Sequence, residues 1–314
     1  MKWVRIETPS RLHLGMFDLA GSLGRRFGGI GVAVNRPAYV LEATPSDKLT
    51  ASGPDSERAL VFADRYLTAA GLTGGARLEI KHAIPGHSGL GSGTKLGLTV
   101  ALALAKLYDQ PTEPYALVQA VDRGRRSAVG LWTFFQGGLV VEGGRKSERG
   151  APAPLLMRYP MPADWGCVLA IPNHLTGLSG SAEAEAFARL SPTTAQAAEI
   201  SHLVLMSLLP ALVDRDLTEF GAAVTRLQQL VGKCFSPVQD GYYSHELSAN
   251  LIETMLAAGA AGAGQSSWGP TVYGFVDRPE TGQRLLQEVK TRLNGSGWAD
   301  VVSFDNQGVS VSMG

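Results

Sequence analysis

Between Ile84 and Leu107 the chain reads IPGHSGLGSGTKLGLTVALALAKL, a glycine-punctuated turn that runs straight into an apolar, Ala/Leu-rich helical pattern. The rest of the chain is organised around this stretch. Gly86, Gly89, Gly91 and Gly93 lack a Cβ, so the backbone can approach a ligand closely. The unpaired N–H groups of the first helical turn, at the positive end of the helix dipole, make the junction a candidate anion cradle. Ser88, Ser92 and Thr94 add hydroxyls and Lys95 adds a charge. The order Gly93-Thr94-Lys95 excludes a Walker A loop, which needs glycine, lysine and then serine or threonine. The alternative is a glycine-rich turn that only starts a core helix.

Any anion site has to be local, because 28 lysines and arginines balance 28 aspartates and glutamates. No global field draws the chain to nucleic acid or to a membrane surface. Its 314 residues allow two domains. Cys167 and Cys234 sit in no CxxC or Cys/His spacing, which argues against zinc and against a disulfide-stapled fold and predicts isolated buried thiols. MKWVRIETPS lacks the apolar core of a signal peptide, and the longest apolar run, Leu96–Leu107, is too short to span a bilayer, so the expected location is the cytoplasm.

Alternation over Lys2–Glu7 predicts a strand that ends in a turn at Thr8-Pro9-Ser10, followed by Arg11, His13 and Gly15. Gly21–Gly31 reads as an irregular loop whose Arg25 and Arg26 either grip a phosphate or carboxylate or are simply solvated. The loop enters Ile30–Val34, strands are predicted at Tyr39–Ala43 and Ala76–Ile80, and helices at Arg58–Ala70 and Glu113–Asp122. The segment DRGRRSAVGLWTFFQGG sets Arg123, Arg125 and Arg126 ahead of Ser127 and a run of aromatics, a combination suited to a flat anionic ligand. A cationic helix end beside a core aromatic cluster is the other reading. A strand at Leu139–Glu142 follows. The Pro-rich stretch Lys146–Pro154 is the expected boundary between domains at 1–155 and 156–314.

Beyond it, a strand at Trp165–Ile171 precedes helices at Ala195–Val213, Leu217–Leu230 and Ser248–Ala258. His202 is expected in the core, and Pro210 is expected to kink its helix. A glycine-dense turn with Gly262, Gly264, Gln265, Ser266, Ser267, Trp268 and Gly269 leads into a Val/Tyr/Phe strand and is positioned to close over a ligand. A helix at Pro279–Arg292 and strands at Ala299–Phe304 and Val309–Met313 complete an α+β chain.

Three separated motifs give this order a meaning. TPSRLHLG at Thr8–Gly15, PGHSGLGSGT at Pro85–Thr94 and GAGQSSWG at Gly262–Gly269 resemble those of the GHMP superfamily of galactose, homoserine, mevalonate and phosphomevalonate kinases, over nearly the whole chain. The resemblance implies a two-domain α+β fold, with a phosphate loop in the N-terminal domain, a ferredoxin-like C-terminal domain, and the active site in the cleft between them. The chain departs from the kinases in two places. Their aspartate base falls in a segment that here, Ser127–Gly138, has no acid, and their third motif continues glycine-rich where this chain has Gln265-Ser266-Ser267-Trp268. With GRRSAVG at Gly124–Gly130 and FGGIGVAV at Phe27–Val34, the chain is similar to the non-kinase branch of β-ribofuranosylaminobenzene 5′-phosphate synthases.

That resemblance implies a cytoplasmic enzyme of methanopterin biosynthesis that joins phosphoribosyl pyrophosphate to 4-aminobenzoate or 4-hydroxybenzoate and releases pyrophosphate and carbon dioxide. It implies magnesium and no organic cofactor. The expected pyrophosphate cradle is Gly86, Ser88, Gly89, Gly91, Ser92, Gly93, Thr94 and Lys95, with Lys95 and Arg126 catalytic. Arg126, then Arg25 or Arg26, is expected to hold the benzoate carboxylate. Ser10, Arg11, His13, Ser127, Gly264, Gln265, Ser266, Ser267 and Trp268 are expected around the substrates, with Trp268, Trp132 or Phe134 walling the ring and Asp18 near the metal. The expected partners are these small molecules and a second copy of the chain, with no nucleic acid and no membrane. Two other readings stay open at this point: an ATP-dependent kinase that recruits a base such as Asp18, and a non-catalytic binder of a phosphorylated metabolite.

Overall fold

Val4 and Ile6 are buried while Trp3 and Glu7 are exposed, the alternation of a strand with one covered face. From Thr8 onward both faces are covered, and the strand does not stop at the predicted turn. In this computed structural model, which describes residues 2–146, 150–239, 241–277 and 279–314, β1 spans Val4–Asp18. Its register against β2 (Phe27–Ser46) slips between Pro9 and Ser10, a bulge at which the missing proline N–H costs no ladder bond. The first motif is therefore strand, and the strand predicted at Tyr39–Ala43 is the later part of one that already begins at Phe27, inside the segment read as an irregular loop.

The first sheet grows around that ribbon. β3 (Thr50–Ser52) lies parallel to β4 (Gly75–His82), which pairs with the later half of β2. β5 (Leu139–Glu142) pairs with the earlier half and carries β6 (Leu155–Tyr159), while β11 (Ser310–Met313) returns from the far end of the chain to β1. The sheet thus takes strands from both sides of the expected cut after residue 155. On it lie α1 (Ser56–Ala70), α2 (Ser92–Leu107), α3 (Pro114–Ala120) and α4 (Val129–Phe135). A helix that is apolar all round has to be buried. α2 is, packed among β1, β2 and the other three helices.

The second half winds β7 (Gly166–Pro172), a helical layer, β8 (Gly262–Gln265), β9 (Val272–Val276), α10 (Pro279–Leu293) and β10 (Gly297–Ser303). Its antiparallel sheet has the order β10-β7-β9-β8, the ferredoxin-like βαββαβ arrangement expected from the motifs. The helical layer holds α5 (Gly180–Arg189), which the sequence patterns did not reveal, then α6 (Thr194–Leu203), a π turn at Val204–Leu208, α7 (Leu209–Asp214), α8 (Leu217–Gln239) and α9 (Glu246–Ala257). The π turn lies just ahead of Pro210, where a helix loses an N–H donor. Part of the glycine-dense segment predicted as a turn is β8 itself.

One core runs from the first sheet through α2 to Trp165, Phe220, Tyr273 and Phe275, and a smaller one sits under α9 and α10. Both cysteines are buried free thiols, as expected. His202 is exposed, contrary to expectation, because Ile200, Val204 and Leu208 take the buried face of its helix. By length and composition alone Thr194–Asp214 could cross a membrane, but here it packs against α8 and β1.

Candidate active site

Gly91 sits at the N-cap of α2 with φ 78°, and no side chain caps the helix, so its first-turn N–H groups face outward. Three segments hold the preceding loop. From β1, Arg11 N donates to Leu90 O at 3.2 Å and the Arg11 guanidinium donates to Gly89 O. From the third motif, Ser266 Oγ donates to Gly89 O at 2.7 Å and Thr271 N to Ser88 O at 3.2 Å. Gly177 N donates to His87 O at 2.8 Å. Gly89, at φ 84°, packs so tightly that a Cβ would lie 2.3 Å from Ser266 O.

Several predicted loop donors are spent inside this scaffold. Ser88 Oγ donates to Pro85 O at 2.8 Å, and Ser92 is buried. Lys95 is fully buried beneath the loop, donating to Thr133 Oγ1 at 3.0 Å with the Phe134 ring 5.8 Å away. Burial, then Arg11, pulls its pKa well below the usual lysine range. The cations at the helix start are different ones. A Cβ on Gly93 would sit 2.9 Å from Arg123 Nη2 and 3.4 Å from Arg58 Nη2. Arg58 pairs with Asp55 at 3.1 Å, and Asp55 accepts from Tyr39 Oη at 2.6 Å. Burial, then Arg58 and Arg65, lowers the Arg123 pKa, and Arg123 Nε is buried without a partner among the described residues. Sequence reasoning missed Arg58 because only folding brings α1 to the loop.

Beside the loop opens a cleft of about 730 Å³ lined by Arg26, Arg123, Arg125, Arg126 and Arg145. Arg125 leans on Asp122, its Nε donating at 2.6 Å. Arg126 is paired with Glu183 of α5, whose other carboxylate oxygen accepts from Trp268 Nε1 at 3.1 Å. Phe187 and Phe235 meet the Trp268 ring edge-on at 5.4 Å and 4.6 Å between centroids. Glu183 was not anticipated, since it lies in a helix that no periodicity announced. Arg25 instead donates to Gly144 O at 2.9 Å, outside the cleft lining.

Behind Ser127 runs a buried polar chain. His13 Nε2 lies 3.0 Å from Ser127 Oγ, and the Ser127 hydroxyl is near enough to the Glu142 carboxyl to favour its charged form. Burial, then Arg11, holds the His13 pKa down at about 3, so its imidazole is neutral. Glu142 is fully buried and accepts from Gly144 N at 2.8 Å and Ala128 N at 3.3 Å. The stretch Ser127–Gly138 is free of acids, as read, but folding sets an acid four residues further on beneath Ser127.

Burial pushes the Glu142 carboxyl from its ordinary 4.5 up to about 7. The folded state therefore binds more protons than the unfolded between those values. The stability this group contributes is present below pH 4.5 and is lost as pH rises through 7, a swing of about 3 kcal/mol. His13 runs the other way, its contribution being lost as pH falls from 6.5 through about 3. Comparison with Glu142→Gln isolates the first effect. Denaturant midpoints should show the variant gaining on the wild type by about 3 kcal/mol from pH 4.5 to 8. A pH-independent difference would mean that the carboxyl is not perturbed.

The remaining candidates are mostly framework. Ser10 is buried, and Gly264 abuts Gln228, with a Cβ there placed 2.4 Å from its Cγ. Gln265 Oε1 accepts from Ser244, and Ser267 N donates to His13 O at 3.2 Å. Asp18 closes its own turn by accepting from Ala20 N and Gly21 N, each at 2.8 Å. Among the described residues no three His, Cys, Asp or Glu side chains converge as a metal cage.

Comparison with known proteins agrees with this architecture. The sequence signature described as the GHMP kinases N terminal domain matches residues 57–132, and that described as GHMP kinases C terminal matches 208–295. Homoserine kinase from Cytophaga hutchinsonii shares the fold, with a TM-score of 0.70 at 19% identity over 99% of this chain and 97% of that one. Beta-ribofuranosylphenol 5'-phosphate synthase of Archaeoglobus fulgidus is 34% identical over 99% of this chain and 100% of its own length. The synthase of that name from Methanothermobacter thermautotrophicus is 33% identical over 87% and 88%. The chain therefore belongs to the beta-ribofuranosylphenol 5'-phosphate synthase family, a branch of the GHMP superfamily.

Proposed function

We propose that the protein joins phosphoribosyl pyrophosphate to a 4-substituted benzoate, forming a carbon–carbon bond at the anomeric carbon and releasing pyrophosphate and carbon dioxide. The observation that carries this reading is the cleft itself: five arginines beside an uncapped helix start, with Phe27 and Phe187 as its aromatic lining and Trp268 packed behind Phe187. A doubly phosphorylated sugar and a flat anionic acceptor need that combination. The relatives' name refers to a ribofuranosylphenol, which favours 4-hydroxybenzoate over 4-aminobenzoate as acceptor.

In this reading the diphosphate leaves against the N–H groups of α2, with Arg58 and Arg123 supplying the positive charge that Lys95, buried below, does not present. Donors fixed where charge develops stabilise the transition state more than the ground state. The 5′-phosphate falls to Arg26, Arg125 and Arg145. The ring carbon that bears the carboxylate, made electron-rich by the para group, meets the developing oxocarbenium carbon. Loss of carbon dioxide then restores aromaticity, so the main demand on the protein is positioning. No step is routed through a protein-held metal; magnesium enters as the counterion of the diphosphate, and no organic cofactor is needed. We place the reaction in the cytoplasm, in methanopterin-type carrier biosynthesis, with a homodimer as the expected assembly.

Incubation with phosphoribosyl pyrophosphate, magnesium and 4-hydroxybenzoate should release pyrophosphate and carbon dioxide together. ADP formation from ATP with an alcohol acceptor, and no such release, would instead make the protein a kinase.

A further inference from the structure

Glu183 is a carboxylate in a place built for one. Its Oε2 takes the Arg126 guanidinium and its Oε1 takes the Trp268 indole N–H at 3.1 Å, so each oxygen has its own donor. Arg126 also lies over the Phe187 ring at 5.4 Å, and Phe187, Phe235 and Trp268 pack edge-to-face next to it. Arg11 and Arg123 feel the same negative charge. The group that fills this position comes from a helix of ten residues, joined to β7 by residues 173–179, whose outer face is largely exposed.

We infer that Arg126 and the Trp268 N–H form the subsite for the carboxylate of an arenecarboxylate substrate, and that Glu183 occupies it in the resting protein as an internal surrogate that the substrate displaces. The inference rests on the proposed synthase reading for the identity of the acceptor. A planar carboxylate with two separate donors reproduces the bonds that Glu183 makes, and the neighbouring rings take the aromatic body attached to it. A tetrahedral phosphoryl group would leave its third oxygen without a donor from this pair and gains nothing from the aromatic wall. Competition by an internal group lowers the apparent affinity by the fraction of molecules left open.

Titration calorimetry with 4-hydroxybenzoate as the probe tests this. Glu183→Gln removes the negative charge while keeping the side chain's size, and it should bind the probe about tenfold more tightly than wild type. Glu183→Ala should move in the same direction, whereas Arg126→Gln should lose binding. Affinity for inorganic pyrophosphate should rise less than affinity for the probe in the Glu183 variants, since Arg123 feels that charge only at a distance. Unchanged or weaker probe binding in both Glu183 variants overturns the inference, as does tightening for pyrophosphate alone. The two proposals can fail separately. Turnover of 4-hydroxybenzoate without tighter binding in the variants leaves the synthase reading and removes this one. Tighter binding without turnover does the reverse.

Discussion

Replacing Gly89 with alanine should destabilise the protein by about 4 kcal/mol and remove nearly all activity. The new Cβ would stand 2.3 Å from Ser266 O and 2.9 Å from Gly269 O, both backbone atoms with no side-chain freedom to yield. The residue also sits at φ 84°, which costs an L-amino acid a further penalty. Relief requires separating the glycine loop from the third motif, and those contacts set the position of the α2 start. Thermal unfolding and steady-state kinetics on the same sample check both effects. A variant of wild-type stability and activity would mean that the two segments are not in the contact described.

Arg123→Met should move activity and stability in opposite directions. Its Nη2 approaches Gly93 at the start of α2, so its loss should lower kcat/KM about 100-fold, the usual scale for one fixed donor to a developing anion. Yet Arg123 is held among Arg58 and Arg65 with its pKa lowered by burial, and its Nε lacks a partner among the described residues. Methionine gives up the cation–π contact of the guanidinium over Phe62, 5.0 Å from the ring centre, but relieves that burial cost, so the fold should gain about 1 kcal/mol. Loss of stability together with loss of activity would assign Arg123 a structural role; unchanged activity would remove it from the proposed diphosphate site.

The fold was legible because its strongest signals are local: the apolar α2, the amphipathic α8 and the strand patterns need only neighbouring residues to be read. The misread turn at Thr8-Pro9-Ser10 shows the limit, since a proline bulge depends on the partner strand. The site was less legible for a related reason. Lys95 stands in the phosphate motif, but a residue's position in a motif does not say which way its side chain points, and here it faces Thr133. Arg58, Glu142 and Glu183 come from α1, β5 and α5, and nothing in the local sequence ties them to the loop. Arg126 and Trp268 were both anticipated near the substrate, but the carboxylate that joins them was not.

The most direct measurement uses 4-hydroxybenzoate labelled at its carboxyl carbon together with phosphoribosyl pyrophosphate. Labelled carbon dioxide and pyrophosphate should appear in equal amounts, matched by one ribosylated phenol phosphate. Pyrophosphate released without labelled carbon dioxide, or no release of either while ATP is consumed, would contradict the account.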